Sequence, residues 1–181
     1  NMLNTLERAK VYWQSSVNDG ADPNNHQIYR FDWSTVNGVP VLNNIILPEY
    51  IDAAKTMKPA DTKWYHKISQ TSIIQSYDFS ISKGGDKGSS LFSLSYYDNK
   101  GIIKETQSKK YTARLNTDYK LLKGKLKVGE NLSATFNSNV LIPTGDVLYT
   151  ALVQNTIVPV HTVDGGWGGP ASGMNDRHNP V

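Results

Sequence analysis

Residues 75–137 read QSYDFSISKGGDKGSSLFSLSYYDNKGIIKETQSKKYTARLNTDYKLLKGKLKVGENLSATFN, and this stretch decides the fold. Four segments in it alternate apolar and polar residues with period two, the signature of consecutive antiparallel strands. In the first, Tyr77, Phe79 and Ile81 share one face while Asp78, Ser80 and Ser82 share the other. In the second, Phe92, Leu94 and Tyr96 alternate with Leu91, Ser93, Ser95 and Tyr97. The third sets Tyr111, Ala113, Leu115, Thr117 and Tyr119 against Lys110, Thr112, Arg114, Asn116 and Asp118. The fourth carries Leu126, Val128, Leu132, Ala134 and Phe136, with Lys125, Lys127, Asn131, Ser133 and Thr135 opposite. Successive side chains of a strand point to opposite faces, so each segment has an apolar wall and a polar wall.

What the apolar wall touches decides the function class. A soluble antiparallel sheet with one face on a core gives the same alternation. Three details favour lipid. The segment 110–119 has the roughly 9–11 residues that a tilted spanning strand needs. Tyr77, Tyr96, Tyr111 and Tyr119 read as membrane-interface aromatics, and Tyr111 and Tyr119 sit at opposite ends of one strand's apolar face. Eight residues at about 3.3 Å each, tilted about 40°, separate those two by about 20 Å along a membrane normal. The opposite wall carries Arg114, Asn116 and Asp118 at mid-strand, which suits a wet lumen.

The connections are expected to alternate in length: short at 83–88, longer and charged at 98–109, short again at 120–124. Outer-membrane barrels show that asymmetry. Glu130 breaks the pattern, having the parity of the apolar wall between Val128 and Leu132; a bulge at Gly129 would turn it aside. Four strands cannot close a barrel and an open sheet edge is not viable in lipid, so the membrane reading makes this chain a piece of a larger barrel.

The flanks are mixed. Residues 3–17 are expected to form a helix, with Asn4 as cap, Glu7 as its capping-box partner and Trp13 in the core. Tyr29, Phe31 and Trp33 then alternate with Arg30 and Asp32, and Asn37-Gly38 is a two-residue hairpin turn into residues 39–42. Pro40 marks the return strand as an edge. Pro48 is expected to open a short helix running through Met57, and Asp61 to cap a further turn carrying Trp64, Tyr65 and Ile68. After the strands one helix is expected over residues 145–154, capped by Thr144, with Val147, Leu148, Ala151 and Leu152 as its apolar stripe. The chain thus divides into residues 1–70, a mixed helix and hairpin segment; 71–137, the four strands; and 138–181, a long loop with one short helix.

Composition removes several function classes. The chain has 181 residues and a net charge of +3, with its 19 basic residues scattered, too weak a field to argue for nucleic acid. It has no cysteine, which excludes disulfides and thiolate metal sites. No basic-then-apolar leader opens it, so it reads as a mature product or a fragment. No run is long and apolar enough for a spanning helix.

Several blocks in order resemble the entry into the barrel of SusC/RagA-type TonB-linked outer-membrane receptors. They are Ala60-Asp61-Thr62-Lys63-Trp64-Tyr65 with Ile68, residues 75–82 with Gly84-Gly85, residues 92–97 with Gly101-Ile102-Ile103-Lys104, residues 111–119, and residues 126–133. The resemblance covers about residues 45–140 well and the flanks more loosely. It implies membership of a large plugged barrel of about 22 strands in the outer membrane of a Gram-negative bacterium. It also implies energised import of glycan oligosaccharides or peptides, a SusD-like surface lipoprotein acting as lid, and coupling to the TonB complex through a plug. The plug and most of the barrel have no counterpart in these residues. Residues 1–70 would then lie at the plug-to-barrel entry, and 138–181 would be an extracellular loop.

No catalytic constellation is visible, and no cofactor or metal is expected. The histidines at 26, 66, 161 and 178 lack metal-ligand spacing. Gly84, Gly85 and Gly88 lack the lysine and helix of a phosphate loop and read as a hairpin turn. One ligand surface remains. Asp164-Gly165-Gly166-Trp167-Gly168-Gly169, followed by Asn175-Asp176-Arg177, presents a tryptophan between glycines. Its flat face can stack on a sugar ring, with Asp164, Asn175 and Arg177 as hydrogen-bond partners. Alternatively, Trp167 pins a long loop against its neighbours. The competing class for the whole chain is a secreted soluble β-sandwich that binds carbohydrate.

Overall fold

The computed structural model of the chain describes residues 2–170 and 178–181. It is mainly antiparallel β and falls into two compact units: residues 69–144, and residues 1–68 together with 145–181. The two flanking stretches of the sequence therefore belong to one unit. No helix among the described residues is long and apolar enough to cross a membrane.

Residues 69–144 form a four-stranded meander in the order β3-β4-β5-β6: β3 Ile73–Gly85, β4 Gly88–Lys100, β5 Gln107–Leu121 and β6 Leu126–Val140. The two-residue turn Asp86-Lys87 sets the first register by pairing Gly85 with Gly88, and every later pair follows without a shift. Tyr77 thus opposes Tyr96, Tyr96 opposes Tyr111, and Tyr111 opposes Phe136. Their rings form one row, with centroids 6.2, 5.0 and 6.2 Å apart in turn. The next rows hold Phe79, Leu94, Ala113 and Ala134, then Ile81, Phe92, Leu115 and Leu132.

Two expectations for this unit are corrected, the strand and connection lengths, and one alternative is decided. The strands are longer than the alternation indicates, because β4 and β5 continue through Asp98 and Lys109, which face each other as partners. Asp98 is buried and accepts from Tyr96 Oη (3.1 Å) and Gln107 Nε2 (2.8 Å). Charge made these residues look like loop, yet hydrogen bonds keep them in the ladder. All three connections shrink, to residues 86–87, 101–106 and 122–125, and the middle one remains the longest. Finally, β5 and β6 pair without a bulge at Gly129, so Glu130 keeps its place on the apolar wall, opposite Thr117.

The other unit starts with α1, Thr5–Asn18. Asn4 Oδ1 accepts from the Glu7 amide and the Glu7 carboxylate accepts from the Asn4 amide, a complete capping box. Trp13 and Ala9 face inward, with Trp13 only 5% exposed. β1 (Arg30–Val36) and β2 (Val39–Ile46) form the hairpin. Asn37 and Gly38 both have positive φ, as a type I′ turn requires. Tyr12, His26, Tyr29 and Phe31 pack their rings beside it, and burial pushes the Tyr29 hydroxyl up to about 12.

The expected helix from Pro48 to Met57 does not form. Asp52 accepts from the Thr56 amide, the Thr56 hydroxyl and the Met57 amide, and Lys55 takes φ 55. A side chain that captures these donors replaces the helical ladder with a turn. Asp61 likewise does not cap α2 (Trp64–Ile68). Its carboxylate accepts instead from the amide and hydroxyl of Thr5, at the start of α1. The last helix, α3, spans Thr144–Val153; of its expected stripe Ala151 is buried, Val147 and Leu148 are half-buried, and Leu152 is exposed.

Residues 60–64 clasp residues 155–158. The Ala60 amide donates to the Ile157 carbonyl and the Thr62 amide to Thr156. The Thr62 hydroxyl donates to the Val158 carbonyl at 2.7 Å, and Trp64 Nε1 to Asn155 at 3.0 Å. Thr62, Trp64 and residues 154–158 are all buried. Replacing Thr62 with Val keeps the volume and strands a buried carbonyl. The expected loss is about 1–3 kcal/mol of stability, read as a lower urea midpoint by tryptophan fluorescence, with Thr62→Ser near wild type.

Candidate functional site

Residues 160–168 form a tight hairpin-like loop. His161 and Trp167 make an antiparallel bridge, the Thr162 amide donates to the Gly166 carbonyl at 2.9 Å, and the Gly168 amide donates to Val160 at 2.9 Å. Gly165 takes φ 86, which its missing Cβ permits. Gly168 is required for a different reason: a Cβ there would stand 1.8 Å from the Pro159 carbonyl oxygen. Asn179 closes the base, its Nδ2 donating to the Val160 and Gly168 carbonyls. The Val163 amide donates to Thr56, tying the loop to the Asp52 turn.

Trp167 lies with its ring centroid 4.6 Å from that of His161 and remains 60% exposed. The ring is therefore backed on one side and open on the other. Asp164 is in the same loop, its Oδ1 accepting from the Thr162 hydroxyl at 2.5 Å. That bond, helped by the Asp164 and Gly166 amides, holds its carboxyl below the usual carboxylate range. A fixed aromatic plane beside a fixed anion can stack on an apolar ring face and accept from a hydroxyl. Asn175 and Arg177, the other two expected members, lie outside the described residues.

The sheet supplies two further surfaces. On the polar wall a cleft of about 410 Å³ is lined by Ser76, Asp78, Ser93, Ser95, Tyr97, Lys110, Thr112 and Arg114. Sequence reading singled out Arg114 here and missed Asp78, Tyr97 and Lys110 as its neighbours. Counting outward from the Asp86-Lys87 turn pairs Ser76 with Tyr97 and Asp78 with Ser95, but their placement beside Lys110 and Arg114 depends on the separate β4–β5 register. On the apolar wall the residues are exposed: Phe79 59%, Ile81 60%, Leu132 58% and Phe136 66%. Of the expected interface tyrosines, Tyr77, Tyr96 and Tyr111 stand in one row, and Tyr119 is eight residues further along β5, beside Val128.

A groove in the other unit, lined in part by Glu7, Asp61, Lys63 and His66, brings ionisable groups together. Its carboxylates are engaged, Glu7 in the capping box and Asp61 on Thr5. Among the described residues no group of three histidine, aspartate or glutamate side chains is placed to hold a metal.

Compared with known proteins, the chain matches no family model. It is similar to the TonB-dependent receptor P26 of Formosa agariphila, with 29% identity over 108 residues. The match covers 59% of this chain and 10% of that receptor. The chain therefore spans about a tenth of the length of the curated relative it matches.

The loop geometry has a direct test. Gly168→Ala drives a methyl into the Pro159 carbonyl and should displace Trp167 from His161, read as a shifted tryptophan emission and greater quenching by iodide. Gly169→Ala, where a Cβ would meet nothing within 4 Å, should leave both unchanged.

Proposed function

We propose that this chain is a wall and loop segment of a TonB-linked outer-membrane nutrient importer. The apolar wall of β3–β6 faces acyl chains and the polar wall faces a water-filled lumen. The observation that carries this reading is the unshifted ladder, which gathers the apolar residues of four strands on one exposed wall. A water-soluble sheet would bury such a wall under a second layer. Residues 69–144 contain one sheet and no second layer to do so.

Three further features support lipid on that wall. The apolar residues run from Ile73 to Ile81 on β3 and from Tyr111 to Leu121 on β5, while on β6 they span the strand from Val140 to Leu126. In register, the band on β5 is displaced toward the short-turn end relative to that on β3. A band oblique to its strands is what tilted spanning strands require. The sheet's lysines all lie toward its ends: 83, 87, 120, 123, 125 and 127 at one, 100, 104, 109 and 110 at the other. Lastly, the similarity to a TonB-dependent receptor favours the same class.

On this reading Tyr77, Tyr96, Tyr111 and Tyr119 meet the interfacial layers. The outer-membrane location and the TonB contact through a plug belong to this reading, and the SusD-like lid and the SusC/RagA assignment join it only through the sequence resemblance. The Trp167 loop faces the outside and lines the chamber for an oligosaccharide or peptide. Glu130 is the one acidic residue inside the band on β6, opposite Thr117. The chain performs binding and transport and no covalent chemistry. The competing reading, a soluble carbohydrate-binding β-sandwich, needs a second sheet against the apolar wall.

This segment has no cysteine, and any elsewhere in the complete polypeptide is first replaced by serine. Single cysteines at Phe79, Leu94 or Leu132, and separately at Ser80, Arg114 or Ser133, are labelled with bimane in the complete polypeptide that carries this segment, reconstituted in vesicles. Spin-labelled lipid should quench the first set several-fold more than the second; equal, weak quenching at both would remove the membrane reading. In the same protein Trp167→Ala should weaken oligosaccharide or peptide binding about tenfold, while unchanged affinity would take the loop out of the chamber.

A further inference from the structure

At the short-turn end of the sheet, the glycine-rich turn makes a cleft of about 450 Å³. Gly88 presses the turn against β5, since a Cβ there would lie 2.1 Å from the Asp118 carbonyl oxygen. The Lys120 amide donates to the Lys87 carbonyl at 2.8 Å, fastening this turn to β5 near the next one. Lys83, Lys87, Ser90 and Tyr119 line the cleft, and the Ser90 and Tyr119 hydroxyls are 3.3 Å apart. By strand parity Lys83, Ser90 and Tyr119 stand on the apolar wall. Among the described residues no carboxylate pairs with either lysine; Asp86 also lines the cleft and is the one acid there.

The surrounding charge points the same way. Lys120, Lys123, Lys125 and Lys127 crowd the adjoining turn, against Asp118 and Glu130. Lys120 and Lys127 are direct cross-strand partners on the polar wall, so they raise the positive field at this end of the sheet without facing the cleft. Leu121, Leu122 and Leu126 are exposed beside them, Leu122 to 72%. An occupant matching all of this carries a compact anion and an apolar tail.

We propose that the cleft walled by Lys83, Lys87, Ser90 and Tyr119 seats the phosphodiester headgroup of an anionic phospholipid. The two ammonium groups meet the phosphate oxygens, the two hydroxyls donate to the phosphate or the glycerol, and the acyl chains run along the apolar wall toward Ile81 and Phe92. This site rests on the proposed orientation of the apolar wall toward lipid.

The complete polypeptide is titrated in a neutral detergent with dioleoylphosphatidylglycerol or dioleoylphosphatidylcholine, and retained lipid is counted by native mass spectrometry. Retention of the anionic lipid should exceed that of the zwitterionic one by about tenfold or more, since each lysine near an anionic surface contributes about fivefold. The Lys83→Gln, Lys87→Gln double variant should lose about tenfold of that preference, and Lys104→Gln, Lys109→Gln should keep it. Equal retention of both lipids, or a double variant that behaves as wild type, overturns the site. Displacement by inorganic phosphate, but not by chloride at matched ionic strength, makes it a free-anion site and overturns the lipid assignment. Bimane at Phe79 and Leu94 is measured in the same protein. If spin-labelled lipid quenches those labels while the headgroup preference is absent, this site alone fails; if they are shielded, the membrane reading fails with it.

Discussion

The register of one ladder governs what this molecule can be. From the Asp86-Lys87 turn outward, β3 to β6 pair residue for residue with no slip. Side chains alternate with a period of two, so a single slip would carry a whole strand's apolar set to the polar wall. Because none occurs, three rows of aromatic and aliphatic residues align across all four strands, and serine, threonine and asparagine collect on the back. Both edges of the sheet present unpaired backbone groups, on β3 and on β6. On the proposed membrane reading these edges are where neighbouring strands would pair.

The unit made of residues 1–68 and 145–181 depends on different physics. Its centre is partly polar: Thr5, Thr62, Gln154, Asn155 and Thr156 are buried beside Trp64, Ile157 and Val158. Buried polar groups are tolerated only when bonded. Thr5 illustrates this, donating its hydroxyl to the Ala60 carbonyl while its amide meets the Asp61 carboxylate. These bonds join positions far apart in sequence, so the geometry of the start of α1, of residues 60–64 and of residues 154–158 is set jointly. The loop bearing Trp167 leaves directly from that clasp, which gives its exposed ring a fixed base.

The charged groups of the sheet sort by position as well as by wall. Lysines lie toward its two ends, while Asp78 and Arg114 sit mid-sheet on the polar wall. On the proposed membrane reading, a charge in the middle of the apolar wall would have no water around it. Glu130 comes nearest to that situation, and the row it shares with Lys83, Ser90 and Thr117 is polar throughout.

Local rules settled in the sequence what short-range chemistry settles in the molecule. The capping box at Asn4 and Glu7, the Asn37-Gly38 turn, the two walls of each strand and the turn nature of Gly84 to Gly88 were all legible there, because each is decided within a few residues. So was the isolation of Trp167 between glycines, though not its backing by His161. What the sequence did not yield was decided by partners elsewhere in the chain. Asp61 was drawn from α2 to Thr5, and Asp98 and Lys109 were drawn from a supposed loop into facing strands. Asp52 is the exception among the misreadings, a local capture of donors that outweighed the helix signal of Pro48. The assembly of the polar cleft from Asp78, Tyr97, Lys110 and Arg114 needed the register across three strands. Alternation fixes which side of a strand a residue faces; only pairing fixes its neighbours there, because that information lies between strands and not along them.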